Sequence, residues 1–373
     1  MADPVPTDAR YRRRRLAALA LLALAVLVTA ALVRSACAGD EPPFTGQLSE
    51  PGGGRAWRVT AWNRANPDSI ETAAAAEAID EVDFVWYLSQ AGGTVVSEHE
   101  DLDLVRKTRE RGIQAFATVV NREPGGDFDG DIAARILASE DSRSSHVETL
   151  VDLVVDKGFD GLDLDWELVR PEDRDRFSDF VEALADALHD KDRLLSIAVT
   201  PKDSEPGRWD TQKAADFKRI GAAVDEFKVM TYSHSGGWSE PGPQAPLGWA
   251  HEMLAFAQSQ VPPEKVLMGV PFYGFDWHGD ATAAVHWQDA DARRREVDAR
   301  LLRDEGSREA VYTYTDDEGV VHEVWYQDRK AVEAKVNLLT RKHPELAGVA
   351  IWQMYGEDSR FWDVIVKGLR APE

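Results

Sequence analysis

Cysteine is nearly absent from this sequence. The single Cys37 among 373 residues leaves no second thiol for an internal disulfide, and it removes any cysteine-based zinc site. Positive charge is also in short supply: 43 Lys and Arg stand against 66 Asp and Glu, a net charge of −23. A surface of that sign repels phosphate backbones, so nucleic acid is not an expected partner. Several catalytic signatures are missing. The first strand-like run continues into "AWNRANPDS", without the Gly-rich turn of a dinucleotide-binding fold. No P-loop and no G-x-S-x-G occur, and "HEMLA" (251–255) lacks the second His of a zinc protease. "GGDFDGD" (125–131) reads as an acidic turn, because an EF-hand needs more ligands and a terminal Glu. No cofactor and no metal are expected.

What is present begins with an unusual N-terminus. "YRRRR" (11–15) precedes "LAALALLALAVLVTAALV" (16–33), 18 residues without a charge. As a helix that run is about 27 Å long, enough to cross a bilayer core. The basic cluster favours the cytoplasmic side, so the rest of the chain is expected outside. Residues 1–15 then form a cytoplasmic tail and 16–36 a retained signal-anchor, with the membrane as a partner through 16–33. Two other fates remain open: a signal peptide cleaved after "ACA" (36–38), giving a secreted protein, or a lipoprotein acylated at Cys37, although Arg34 stands where an aliphatic residue is expected. Residues 37–55 are rich in Pro and Gly and read as a linker.

From residue 56 to about 370 the pattern alternates. Eight β-branched or aromatic runs are expected as strands, at 57–63, 82–89, 113–121, 159–167, 194–202, 226–234, 265–277 and 346–356. Helix-like stretches lie between them, such as 142–158, with Val147, Leu150, Val151 and Val154 at helical spacing and Gly158 as a stop. Eight βα repeats predict an α/β fold, a (β/α)8 TIM barrel. One segment, 278–343, breaks the rhythm. "AVYTYTDDEGVVHEVWYQD" (310–328) alternates, turns and alternates again, which predicts a hairpin within a small α+β insertion between strands seven and eight.

The fourth run carries the chemistry. "DGLDLDWE" (160–167) places Asp163, Asp165 and Glu167 at every second position and Leu162, Leu164 and Trp166 between them. Side chains alternate faces along a strand, so the three acids share one face. The apolar trio faces the outer helices, and the acids point into the barrel toward its C-terminal mouth. Burying unpaired carboxylates costs several kcal/mol each, which packing alone does not justify. Crowded carboxylates also cannot all ionise easily, so at least one should be held protonated, as a general acid requires. Glu167, at the strand end, is the expected donor, followed inward by Asp165 and Asp163. Ca²⁺ binding is a weaker reading, since these acids lie on a strand without a tight Gly turn.

"DGLDLDWE" resembles the signature of glycoside hydrolase family 18, the chitinase-like barrels. "MTYSHSGGW" (230–238), "GVPFYGFDW" (269–277) and "GVAIWQMYGED" (348–358) resemble its sixth, seventh and eighth strands, and "HEVWYQDRKAVEAKV" (322–336) the end of its insertion. The phrasing "APLGWAHEML…VPPEKVLMGVPFYGFDW" is most similar to the bacterial cell-wall and spore-germination branch. The resemblance implies a retaining glycosidase that cuts at N-acetylglucosamine residues of peptidoglycan or chitin-type glycans. The substrate's acetamido group would serve as nucleophile. It implies Glu167 as acid and base, Asp165 as support for the acetamido N–H, Asp163 as its proton partner, Tyr232 on the acetamido oxygen and Trp352 as the floor under the sugar. One position departs from the pattern: the acid usual after the sixth-strand tyrosine is Ser233, followed by His234, which either donates in its place or is an ordinary loop residue. Tyr273 and Asp276 are candidate sugar contacts, and so are Trp62 and Trp86, which alternatively pack in the core, and Asp160, which alternatively fixes the start of the strand. The alternative function is a sugar-binding barrel without catalysis. A monomer is expected.

Overall fold

A computed structural model describes residues 57–370. The expectations for residues 1–15, 16–36 and 37–55, including Cys37, lie outside the described residues. Among the described residues no helix is long and apolar enough to cross a membrane.

Fourteen strands are described, in two sheets. They are β1 (Arg58–Asn63), β2 (Glu81–Ser89), β3 (Val95–Ser97), β4 (Gln114–Asn121), β5 (Gly161–Asp165), β6 (Leu194–Val199), β7 (Glu226–Val229), β8 (Val266–Pro271), β9 (Tyr273–His278), β10 (Ala281–His286), β11 (Leu302–Arg303), β12 (Ala310–Thr315), β13 (Val321–Tyr326) and β14 (Gly348–Trp352). The first sheet runs β1-β14-β8-β7-β6-β5-β4-β2, all parallel, and β1 also pairs with β2, which closes it into an eight-stranded barrel. β3 folds back antiparallel on β2.

The core has an outer and an inner part. Outward residues such as Val59, Leu162, Leu164 and Phe227 join the ring of helices in one large apolar cluster. The helix Arg174–His189 shows how: its Phe177, Phe180, Val181, Leu184 and Leu188 are buried, and Trp166 stacks on Phe180 with centroids 5.0 Å apart. The helix Glu140–Asp156 starts at Ser139, whose hydroxyl accepts from the Ser142 amide in a capping box that satisfies otherwise orphaned donors.

The inward side is polar at its lower end. Lys228, fully buried, places Nζ 2.8 Å from Asp83, 3.0 Å from Glu81, 3.3 Å from Asp163 and 3.7 Å from Glu226. Arg58 joins from the rim and pairs with Glu81 and Glu226. Four acids thus meet two cations. Burial pushes Glu81 up, but Lys228 and Arg58 outweigh it and bring its carboxyl to about 2. Burial, reinforced by Glu81, raises Glu226 to about 8 against the pull of Arg58 and Lys228, and burial raises Asp83 well above the carboxylate range.

The insertion differs from its expected bounds. The chain stretch 265–277 is two strands: Phe272 still donates its amide to the Trp352 carbonyl of β14, and from Tyr273 onward the chain pairs antiparallel with β10 and β13. β8 keeps parallel partners, whereas β9 begins an antiparallel sheet ordered β10-β9-β13-β12-β11. The inserted sheet therefore starts at Tyr273, before residue 278. The helix Arg329–Lys342 is not part of it: Val332, Val336 and Leu339 pack into the barrel's main core.

Removing the one ammonium from the inner cluster leaves its acids uncompensated. Lys228→Met is expected to lower unfolding free energy by about 3–5 kcal/mol, read from urea midpoints. An unchanged midpoint would contradict this account of the barrel floor.

Candidate active site

β5 delivers the three acids to the barrel axis and mouth. Asp163 is fully buried and takes four donors: Trp62 Nε1 at 2.7 Å and Thr118 Oγ1 at 3.0 Å on one oxygen, Ser196 Oγ at 2.9 Å and Lys228 Nζ at 3.3 Å on the other. These fill the acceptor positions a carboxylate offers. Asp165, one step toward the mouth, is buried, and its Oδ1 has no hydrogen-bond partner. Burial, then the nearby charges of Glu167 and Asp163, push its carboxyl well above the usual range, with Arg64 and Lys228 opposing. Glu167 lies just past the strand, partly exposed. Asn121 at the end of β4 holds its backbone on both sides, accepting from the Glu167 amide at 2.8 Å and donating to its carbonyl at 2.7 Å.

A cleft opens above these acids. Trp352 ends β14 at its floor, precedes a cis peptide bond, and meets Trp62 edge-on at 5.7 Å. Tyr232 lines the wall. Gly269 on β8 makes room for its ring, since a Cβ there would lie 2.9 Å from Tyr232 Cε1. Burial first, then the charge of Asp165, keeps the Tyr232 phenol neutral by raising it well above its ordinary value. Ser233 follows with a left-handed φ of 59°, a strained backbone for a non-glycine residue. Its hydroxyl lies 2.7 Å from the Tyr273 hydroxyl. A buried carboxyl pushed up by its surroundings, beside a partly exposed carboxyl and an indole, can hold and protonate a glycoside.

The model of glycosyl hydrolases family 18 matches residues 125–358, well over half of the chain. The chain belongs to glycosyl hydrolases family 18. Its class is that of a glycoside hydrolase. Among curated relatives, it is 29% identical over 266 residues to the uncharacterized glycosylase YvbX of Bacillus subtilis, covering 70% of this chain and 77% of that one. It is 27% identical over 276 residues to the cortical fragment-lytic enzyme of B. subtilis, covering 72% of this chain but 63% of that enzyme. Among solved structures, a chitinase from Chromobacterium violaceum ATCC 12472 superposes with a TM-score of 0.79 at 27% identity, over 85% of this chain and 100% of that one.

Within this family 18 barrel the expected site residues separate into two groups. Trp62, Asp165, Glu167, Tyr232, Ser233, Tyr273 and Trp352 line one cleft, and Asp163 supports it from beneath. Trp62 is only 1% exposed, so it serves chiefly through its Nε1–H on Asp163. Four expected contacts are elsewhere. Asp160 stands at the start of β5, at the opposite barrel end, clamped by Arg109 at 2.8 Å; it secures the strand. Trp86 is buried against Phe84 and His99 and donates to the Arg64 carbonyl at 2.6 Å. His234 turns away onto Trp249 with centroids 5.2 Å apart, so it does not replace the missing acid. Asp276 points to the far face of the inserted sheet, where His322 holds it.

Other lining residues escaped the sequence reading: Arg64, Arg122, Asp127, Phe128, Trp238 and Phe275. Phe275 was detectable from alternation with Tyr273. Asp127 and Phe128 belong to the acidic turn after β4, and their meaning depends on that turn folding over the barrel mouth. Lys228, Glu81 and Asp83 carried the same signal as the acid motif: charges at alternate positions of an apolar strand.

The raised carboxyl of Asp165 has a stability consequence. An acid whose folded pKa exceeds its unfolded value binds more protons when folded, so it contributes a loss of stability as pH rises through that window. Asp165→Asn is therefore expected to raise the Tm by a few degrees at pH 7, with the gain fading toward pH 3.5, in paired thermal melts. Equal melting shifts at both pH values would show that the gain has another origin.

Proposed function

We propose that this family 18 barrel is an exported retaining glycosidase. It hydrolyses β-1,4 bonds at N-acetylglucosamine residues of peptidoglycan or chitin-type glycans. The observation that carries the reading is the ladder on β5: a carboxyl saturated with donors, a buried carboxyl pushed well above its usual range, and a carboxyl at the cleft edge, at successive inward positions. Such a ladder suits a reaction in which positive charge appears and disappears beside it.

Glu167 delivers its proton to the glycosidic oxygen as the bond to the anomeric carbon breaks. The acetamido carbonyl oxygen of the same sugar bonds to that carbon, giving an oxazolinium ion. Asp165 accepts from the acetamido N–H and stabilises the cation, while Asp163, fixed by its four donors, holds the strand beneath it. Tyr232 steadies the acetamido oxygen, and Trp352 supports the pyranose face. Glu167, now a carboxylate, takes a proton from water as the water oxygen bonds to the anomeric carbon and the acetamido oxygen leaves it, which restores the acid and the acetamido group and retains configuration. Only an N-acetylated sugar supplies the internal nucleophile, which sets the substrate class. The names of the relatives, a cortical fragment-lytic enzyme and a chitinase, lie in that class.

The basic cluster and apolar run at 11–33 support a membrane-anchored protein with its barrel outside. Protease added to intact producing cells is expected to remove the barrel; full protection would contradict export.

Glu167→Gln is expected to lower kcat about 10²–10⁴-fold while the Tm stays near that of the parent. The assay uses N-acetylglucosamine oligomers and purified peptidoglycan strands, with products read by mass and anomeric configuration by NMR. An inverted product would exclude the substrate-assisted route. Binding without cleavage by the parent would favour the sugar-binding alternative, for which Ser233 in the usual acid position is the specific observation.

A further inference from the structure

The inserted sheet carries a second cluster, on the face turned away from the cleft. Tyr273, Phe275 and Trp277 of β9 pack together with Tyr232 on the cleft side. Alternation puts Asp276 and His278 on the other side. His322 of β13 lies directly across from His278 in register. One ligand atom from each of Asp276, His278 and His322 lies within 4.8 Å of the others.

We propose that Asp276, His278 and His322 bind a divalent transition ion of the zinc type, separate from the catalytic cleft. His322 Nδ1 is 2.9 Å from Asp276, and His278 Nδ1 is 3.6 Å from the same carboxylate. Ligand atoms around a tetrahedral ion with bonds of about 2.0–2.1 Å lie about 3.3 Å apart, so the two separations bracket the required one. The His278 and His322 rings stack nearly parallel with centroids 4.8 Å apart, so joining one ion requires the partly exposed His278 ring to turn until its plane meets that of His322.

Two features separate this from an ordinary His–Asp hydrogen bond. His278 Nδ1 is buried and has no hydrogen-bond partner, although the His278 ring as a whole is partly exposed. A bond between His322 and Asp276 alone leaves that atom unsatisfied, whereas an ion gives it a partner. The other ring nitrogen of His322 also faces a carboxylate, Asp316, at 3.4 Å. That order, carboxylate then imidazole then metal, orients zinc-bound histidines generally. Asp316 is itself held by the amides of Glu318 and Val320 at 3.0 and 2.8 Å, and Tyr314 stacks on the His322 ring at 4.3 Å. Two imidazoles and one carboxylate suit Zn²⁺ and its neighbours and disfavour Ca²⁺ and Mg²⁺, which demand more oxygens. The exposed edge of His278 leaves a position for water. The ion would tie β9 to β13 and to the hairpin turn at Asp316, stiffening the sheet whose other face walls the cleft.

The test uses the untagged full chain, stripped with chelator and titrated with Zn²⁺ alone by calorimetry. Saturation at one ion per chain is expected, with at least tenfold weaker binding for His278→Ala and about 10–100-fold weaker binding for Asp316→Asn. Thermal unfolding should shift upward with Zn²⁺ in the parent and not in His278→Ala, whose site lies at a partly exposed edge and leaves the core intact. Excess Mg²⁺ or Ca²⁺ should not compete. Absence of stoichiometric uptake by the parent, or equal binding by His278→Ala, overturns the site.

Discussion

One buried ammonium holds together the parts of this barrel that matter. Lys228 Nζ reaches Glu81, Asp83 and Asp163 from the barrel axis, with Glu226 close by. Without a cation there, that many carboxylates could not be drawn out of water into one closed interior. With it, Asp163 is fixed by four donors, and β5 carries Asp165 and Glu167 upward from a rigid point. The floor is thus an electrostatic foundation for the mouth. Asp165 is crowded because Asp163 below it and Glu167 above it cannot move aside.

The cleft walls come from chain segments far apart in sequence. Trp352 comes from the last barrel strand, Tyr232 from the loop after β7, Tyr273 and Phe275 from the inserted sheet, and Phe128 from the turn after β4. A parallel barrel gathers such segments because every strand ends at the same rim. The inserted sheet extends the wall with one face and presents the cluster of Asp276, His278 and His322 on the other. Ser233 replaces an acid where the family pattern has one, and its hydroxyl pairs with Tyr273. That contact is a neutral hydrogen bond, and the carboxyls of the cleft come from the β5 ladder and from Asp127 of the turn after β4.

Much of this was legible beforehand. All eight barrel strands follow from short apolar runs separated by helical periodicity, and the β5 acids from charges at every second position of such a run. Where the reading failed, long-range geometry decided. The stretch 265–277 is continuous in hydropathy, yet Phe272 divides it, because β8 and β9 find partners of opposite direction. Trp86 and Trp62 look alike at strand ends, but one packs outward and the other supports Asp163. His234 follows Tyr232 in the chain, but a left-handed Ser233 turns it onto Trp249.

The sequence by itself determined the periodicity, the barrel class and the three acids on a common face, since each depends on neighbours a few residues apart. Only the tertiary structure decided which charges neutralise one another, that Asp165 is the carboxyl driven up, and that Asp276 belongs with His278 and His322. Those outcomes depend on distances between residues as remote as Glu81 and Lys228. Coulomb interactions and burial act through space, and only the closed barrel sets that space.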